Sequence, residues 1–175
     1  MFHSNTELLI DYWRGLRSGR PMPLRADVDP TDFPALAPRA FIAARETTDV
    51  RFRLAGEAMI ELCRRQLAGE SLLELWRAEH RGRAAALLGA SLIAGEPMVI
   101  AAECGAESAP QLRLEMLLAP LIGPAGVADR FLGLCQPLFG ISLAPLAGLS
   151  IVAVNGHAAG RTYLRLAAVD GRRIA

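Results

Sequence analysis

The stretch that decides the fold runs Arg39-Ala40-Phe41-Ile42-Ala43-Ala44-Arg45-Glu46-Thr47-Thr48-Asp49-Val50-Arg51-Phe52-Arg53-Leu54-Ala55-Gly56. Ala40 to Ala43 form an apolar run, Glu46 to Asp49 are polar, and Val50, Phe52 and Leu54 then alternate with Arg51 and Arg53. Successive strand side chains point to opposite faces, so this alternation turns one face to a core and its arginines to water. Two such runs about a short polar turn predict an antiparallel hairpin with one buried face. Gly56 ends the second run.

On the C-terminal side, helical patterning continues through Ala58, Met59 and Leu62. A short capped turn follows from Ser71 with Glu74, then a longer helix from about Arg77 to Ala94, with Gly95 as its C′ residue and Pro97 beyond. Strand patterning returns at residues 98–104, 111–119 and 130–136. On the N-terminal side, Ser4 and Glu7 stand at capping-box spacing. Behind them Leu8, Leu9, Tyr12, Trp13 and Leu16 make one apolar stripe, and Gly19 closes the helix. Between them lie Pro21, Pro23, Pro30, Pro34 and Pro38, which exclude a regular helix or a central strand. Asp29 as N-cap and Pro30 at the first position predict one helical turn there.

Two strands, a helical excursion and a three-stranded meander specify an α+β domain: a five-stranded antiparallel sheet with helices on one face, preceded by an N-terminal amphipathic helix. The chain divides into the N-terminal helix (1–19), a Pro-rich linker (20–38), the sheet-and-helix core (39–137) and an apolar tail broken by Pro and Gly (138–175).

Composition narrows the chemistry. Of the 175 residues 52% are hydrophobic, enough for a core. All 19 cationic residues are arginine against 18 acids, for a net charge of +1. No nucleic-acid footprint appears, and lysine chemistry such as a Schiff base or a P-loop lysine is excluded. Cys63, Cys104 and Cys135 lie far apart without the spacing of a zinc site or a redox pair, so they are expected as reduced thiols in a cytoplasmic protein. The N-terminal residues show no secretory pattern. Phe131 to Gly160 carries no charged side chain, long enough to cross a bilayer, but Pro137, Gly140, Pro145 and Gly148 break it. The expectation is an irregular segment packed on the domain or on a second copy, with no membrane span. Ile151 to Val154 and Tyr163 to Val169 read as short strands or a terminal helix.

Candidate motifs weaken under physical scrutiny. Asp27-Val28-Asp29-Pro30-Thr31 matches the spacing of an aspartyl-phosphate site, but Arg20 to Arg25 do not form the strand that would present it. As a calcium loop it has Asp32 where a glycine is needed and Pro38 where the last carboxylate belongs. Asp27 is instead expected to pair with a nearby arginine and Asp29 to cap a turn. His80 falls near the start of the long helix, where a haem ligand would sit, but Glu79, Arg81 and Arg83 mark an exposed helix start. No cofactor is assigned and no metal site is expected. Leu62-Cys63-Arg64 lacks the flanking Asn and Gln of a flavin-binding helix, and no nucleophile elbow, zinc helix, dinucleotide loop or Walker loop occurs.

The order helix, linker, two strands, helices, three strands is that of a PAS domain. The segment Tyr12-Trp13-x-x-Leu16-Arg17-x-Gly19-Arg20-x-x-Pro23-x-Arg25-x-Asp27-x-Asp29-Pro30 resembles the N-terminal signature of a family of short, stand-alone bacterial PAS proteins. Phe52 to Gly56, Gly69 with Leu72, Leu75 and Trp76, and Leu117 to Leu121 fit the same family in order. The resemblance covers residues 8–137. It implies a sensory or scaffold domain, some relatives being linked to motility and cell-cycle signalling, with no family-wide catalytic residue or cofactor to carry over.

A PAS core either is filled or holds a small ligand between sheet and helices, and the sequence leaves both open. The inward positions that would line such a cavity are Phe41, Phe52, Met59, Leu62, Trp76, Leu88, Met98, Leu114, Met116 and Leu134. The N-terminal stripe of Leu9, Tyr12, Trp13 and Leu16 must cover itself on its own sheet or on a second copy, and is the expected dimer or partner interface. The resulting expectation is a non-enzymatic regulatory domain acting on a signalling protein such as a kinase, as a homodimer, with or without a small ligand. The contrasting class is a small-molecule-binding or catalytic α+β domain using the same cavity, which needs converging polar groups there.

Overall fold

Helix α1 (Ser4–Leu16) begins one residue before the capping-box spacing places it. His3 is the N-cap, its Nδ1 accepting the Asn5 N–H at 3.1 Å, while Glu7 reaches back to accept the Phe2 N–H at 3.3 Å. The helix ends before Gly19 because Ser18 and Gly19 both take positive φ, 47° and 82°. The computed structural model describes residues 1–106, 109–140, 145–158 and 161–165.

The hairpin forms: β1 (Ala40–Glu46) and β2 (Asp49–Ala55) pair antiparallel, with Glu46 opposite Asp49 across a two-residue loop. Val50 and Phe52 are buried as expected, but a register shift pairs Phe52 with Ala43 and Leu54 with Ile42, so Leu54 leaves the buried face and is exposed. Helix α2 (Glu57–Cys63), the 3-10 turn Leu72–Leu75 capped by Ser71, and α3 (Ala78–Ala94) follow. Gly95 ends α3 in the left-handed conformation, φ 67°. Strands β3 (Met98–Ala106), β4 (Ala109–Ile122) and β5 (Ala128–Gly140) complete the expected five.

The tail extends this sheet. Strands β6 (Ser150–Ala158) and β7 (Arg161–Arg165) give seven antiparallel strands in the order β2-β1-β5-β4-β3-β6-β7. Each strand pair is antiparallel, β6 running along β3 from Met98–Gly156 to Glu103–Ser150. Of the expectation for Tyr163 to Val169, residues 166–169 lie outside the described residues.

Two cores result, one on each sheet face. On one side Phe52, Met59, Leu72, Leu75, Trp76 and Leu88 pack with the inward residues of β1, β3, β4 and β5. On the other, Leu9, Ile10 and Trp13 of α1 and Val28, Phe33 and Leu36 of the linker pack on Ile42, Leu117, Leu121, Leu132 and Leu134. The hairpin is therefore not buried on one face only. β1 is central and sandwiched, so Phe41 and Ala43 face the helices while Ala40 and Ile42 face the linker and α1. The unbroken apolar run at Ala40 to Ala43 carries this two-sided burial.

The residues before β6 close the end of the helix-side core. The Leu146 N–H donates to the Leu62 carbonyl at 2.9 Å, and the Leu149 N–H to the Leu75 carbonyl at 2.8 Å. Arg77 fixes this segment from above, its Nε donating to Gly148 O at 3.2 Å and its Nη2 to Gly105 O at 2.6 Å. Leu146 and Leu149 are consequently buried in the same core as Trp76. The charge-free stretch thus contributes most of β5, a docked segment and β6, and no helix among the described residues is long and apolar enough to cross a membrane.

Candidate functional site

Nine of the ten residues expected to line a PAS cavity lie on the helix side of the sheet. Phe41, Phe52, Met59, Trp76, Leu88, Leu114 and Met116 are buried there, and Leu62 and Met98 are half-buried against them. Phe41 and Phe52 meet edge to face with ring centroids 5.2 Å apart. Leu134 is the correction. Across β5, Phe131 and Cys135 face the helices, so Leu132 and Leu134 must point to the α1 side, where both are buried. A β5 buried on both faces gives no alternation from which to read this parity.

Within the helix-side core β1 and β5 approach closely. Gly133 lies opposite Phe41, and a Cβ on it would fall 2.1 Å from the phenyl ring, so ring and glycine interlock. A cleft of about 70 Å³ opens between Arg39, Ala58, Met59, Leu62, Cys135 and Pro137, and another of about 100 Å³ beside Val50, Leu73, Leu88 and Leu92. Burial pushes the Cys63 thiol up to about 11 and the Cys135 thiol up to about 12, so both stay protonated at neutral pH. Cys104 is half-exposed, with its Sγ 3.1 Å from Ala147 O.

The N-terminal stripe covers its own sheet. Leu9 and Trp13 are fully buried within the chain, and the Trp13 Nε1–H donates to Pro120 O at 2.7 Å. Leu16 and Tyr12 are half-buried at the edge of the same core. Tyr12 packs edge to face on Phe33 at 4.9 Å, and its hydroxyl donates to Asp32 Oδ2 at 3.1 Å and accepts the Asp29 N–H at 3.0 Å. Burial and these acidic neighbours raise the Tyr12 hydroxyl above its ordinary range. Leu9 and Trp13 therefore leave the set of residues free to contact a partner, because α1 lies over β4 and β5 of its own chain.

Sequence reading missed the polar anchor beneath this helix. Glu115 and Gln136 are buried side by side, directly paired across β4 and β5. The Glu115 carboxylate accepts the His3 N–H at 3.2 and 3.1 Å and the Thr6 hydroxyl at 2.6 Å. The Gln136 Oε1 accepts from the Asn5 amide at 2.9 Å. A carboxylate at a helix N-terminus satisfies unpaired donors and suits the helix dipole. The available signal was a carboxylate, Glu115, followed directly by the apolar run Met116 to Leu121.

The remaining motifs take structural roles. Arg20 pairs with Asp27 at 2.5 Å, and Asp29 caps the Pro30–Asp32 turn by accepting the Thr31 N–H at 2.8 Å. The Thr31 N–H and hydroxyl hold the Asp29 carboxyl below its ordinary range. His80 is half-buried with Nδ1 turned to the Ile151 N–H, 3.5 Å away. Among the described residues no three His, Cys, Asp or Glu side chains gather to hold a metal.

A larger opening lies on the other side of the sheet. A groove of about 210 Å³ runs between the linker and the outer surface of the hairpin, lined by Val28, Phe33, Ala40, Ile42 and Leu54 with Arg25 at its rim. Gly56 forms part of its wall; a Cβ there would fall 2.2 Å from Ala37 O, so the linker closes against bare backbone.

A comparison with curated proteins finds no match. The family model described as PAS domain matches residues 1–136, which takes in α1, the linker and the sheet as far as Gln136. With an α+β sheet of this order and helices α2 and α3 on its face, the chain belongs to the PAS domain family.

Proposed function

We propose that this chain is a non-enzymatic sensory or regulatory PAS domain that acts by contact with another protein, forming a homodimer and presenting its surface to a signalling partner such as a kinase. PAS domains form a sensory class, and membership of that family is the observation that carries the reading. The contrasting catalytic reading needs polar groups converging in the helix-side core, and that core is lined by Phe41, Phe52, Met59, Trp76 and Met116.

With Leu9 and Trp13 spent on the sheet, the contact surface falls to apolar residues that remain exposed. Leu8 on α1 is 59% exposed and Phe139 on β5 is 54% exposed. Both belong to elements that meet on the α1 side of the sheet, where Asn5 of α1 is bonded to Gln136 of β5. Phe139 also lies beneath the Arg113 guanidinium, 5.3 Å from its ring centroid. Such apolar groups with an arginine beside them suit a protein contact. Sedimentation of the purified protein at tens of micromolar tests this. A dimer that Leu8→Glu or Phe139→Glu converts to a monomer is expected; a wild-type monomer at that concentration removes the homodimer from the proposal.

A further inference from the structure

We infer that the groove outside the sheet is a binding site for a small monocarboxylate with an apolar body, its carboxylate held by Arg25. This goes beyond the signalling reading and does not depend on it. The site is distinct from the space between sheet and helices, since it lies between the linker and the outer face of β1 and β2.

Three observations combine. The walls are apolar, built from Val28, Phe33, Ile42, Leu54 and Leu132, and the sheet behind them is continuous, so the groove offers a hydrophobic surface with few competing polar groups. Its volume of about 210 Å³ sets the size of the guest. Drug-sized ligands need roughly 300 Å³ or more, whereas a cavity of about 150 Å³ takes up benzene, so the body must be a short alkyl chain or a single aryl ring. The charge sets the head group. Arg25 is half-buried at the rim, its Nη1 donates to Val28 O at only 3.4 Å, and it pairs with no carboxylate among the described residues. A guanidinium with donors to spare beside an apolar wall matches a carboxylate in a forked, charge-assisted pair.

The linker makes the site responsive. Val28 and Phe33 line the groove and also pack in the core that α1 covers, and Tyr12 of α1 rests on Phe33. A guest that fills the groove holds the linker in this arrangement and thereby favours the docked position of α1.

Octanoate is the probe, with octanol as its uncharged counterpart, followed by amide and arginine side-chain shifts in NMR spectra of the full chain. The expected result is saturable shifts at Arg25, Leu54, Ala55 and Gly56, with octanol bound more weakly. Arg25→Gln should weaken octanoate about tenfold or more and leave octanol unchanged, while Arg25→Lys restores part of the loss. If Arg25→Gln disturbs the linker, Leu54→Ser removes an exposed wall residue without touching a core and should weaken both probes severalfold. Equal binding of octanoate and octanol overturns the assignment of the head group. Shifts centred on the helix-side core, or none in the groove up to millimolar octanoate, overturn the site. Binding is read here without reference to oligomeric state, so its failure and that of the dimer are separate results.

Discussion

Replacing Trp13 with alanine tests whether α1 belongs to its own sheet. The indole is fully buried against the α1-side core, its Nε1–H is 2.7 Å from Pro120 O, and the Arg17 guanidinium lies 5.4 Å from its ring centroid. Removing a buried aromatic side chain costs about 3–5 kcal/mol. Trp13→Phe keeps much of the ring but leaves Pro120 O without its donor, for about 1–3 kcal/mol. Domain stabilities of about 5–15 kcal/mol make the alanine change a large fraction of the total. Urea unfolding followed by far-UV circular dichroism, at one submicromolar protein concentration, should rank wild type above Trp13→Phe above Trp13→Ala. In a Trp76→Phe background, the emission of Trp13 should stay blue-shifted on dilution, because the chain buries it without help. A loss below about 1 kcal/mol for Trp13→Ala, or a red shift on dilution, would refute burial within the chain and return this stripe to an intermolecular interface.

Two further outcomes follow from the helix-side core. Gly133→Ala should destabilise by about 1–3 kcal/mol through overpacking against Phe41, and Phe41→Leu should recover part of that loss in the double variant; additive urea-unfolding energies would show that the two positions do not interlock. The raised Cys63 and Cys135 thiols bind more protons folded than unfolded above about pH 9. Their contribution is therefore complete below the unfolded thiol range and falls as pH rises towards 11–12. The urea midpoint should drop between pH 8 and pH 10.5 by less in Cys63→Ala/Cys135→Ala than in wild type; an equal drop in both would assign the effect to other groups.

Family membership and the two-sided burial of the sheet bear on how signal could travel. The polar anchor formed by Glu115, Gln136, His3, Asn5 and Thr6 joins α1 to the middle of β4 and β5. The same helix rests through Tyr12 on the linker that walls the groove. One rigid element thus rests through Tyr12 on the wall of the candidate ligand site and carries the exposed Leu8.

Local pattern by itself determined the elements. The Val50-Arg51-Phe52 alternation, the Ser71 cap, the Gly95 stop and the Asp29-Pro30 turn are statements about neighbouring residues, and the structure contains each where the sequence places it; Leu54 departs from the alternation because a register shift against β1 turns it to the outer face. The segments that carry the family resemblance are legible for the same reason. Tertiary structure alone decided what covers each face. Leu134 and Phe131 are equally apolar, and only the pairing of β5 between β1 and β4 sets which one meets the helices. The charge-free tail could have covered itself on another molecule; it adds β6 to the open edge of β3 because that edge carries unpaired backbone donors and acceptors which a six-residue pairing along Met98 to Glu103 can satisfy. The groove is likewise absent from any single segment, since Arg25, Phe33 and Leu54 become one surface only when the linker folds back across the hairpin.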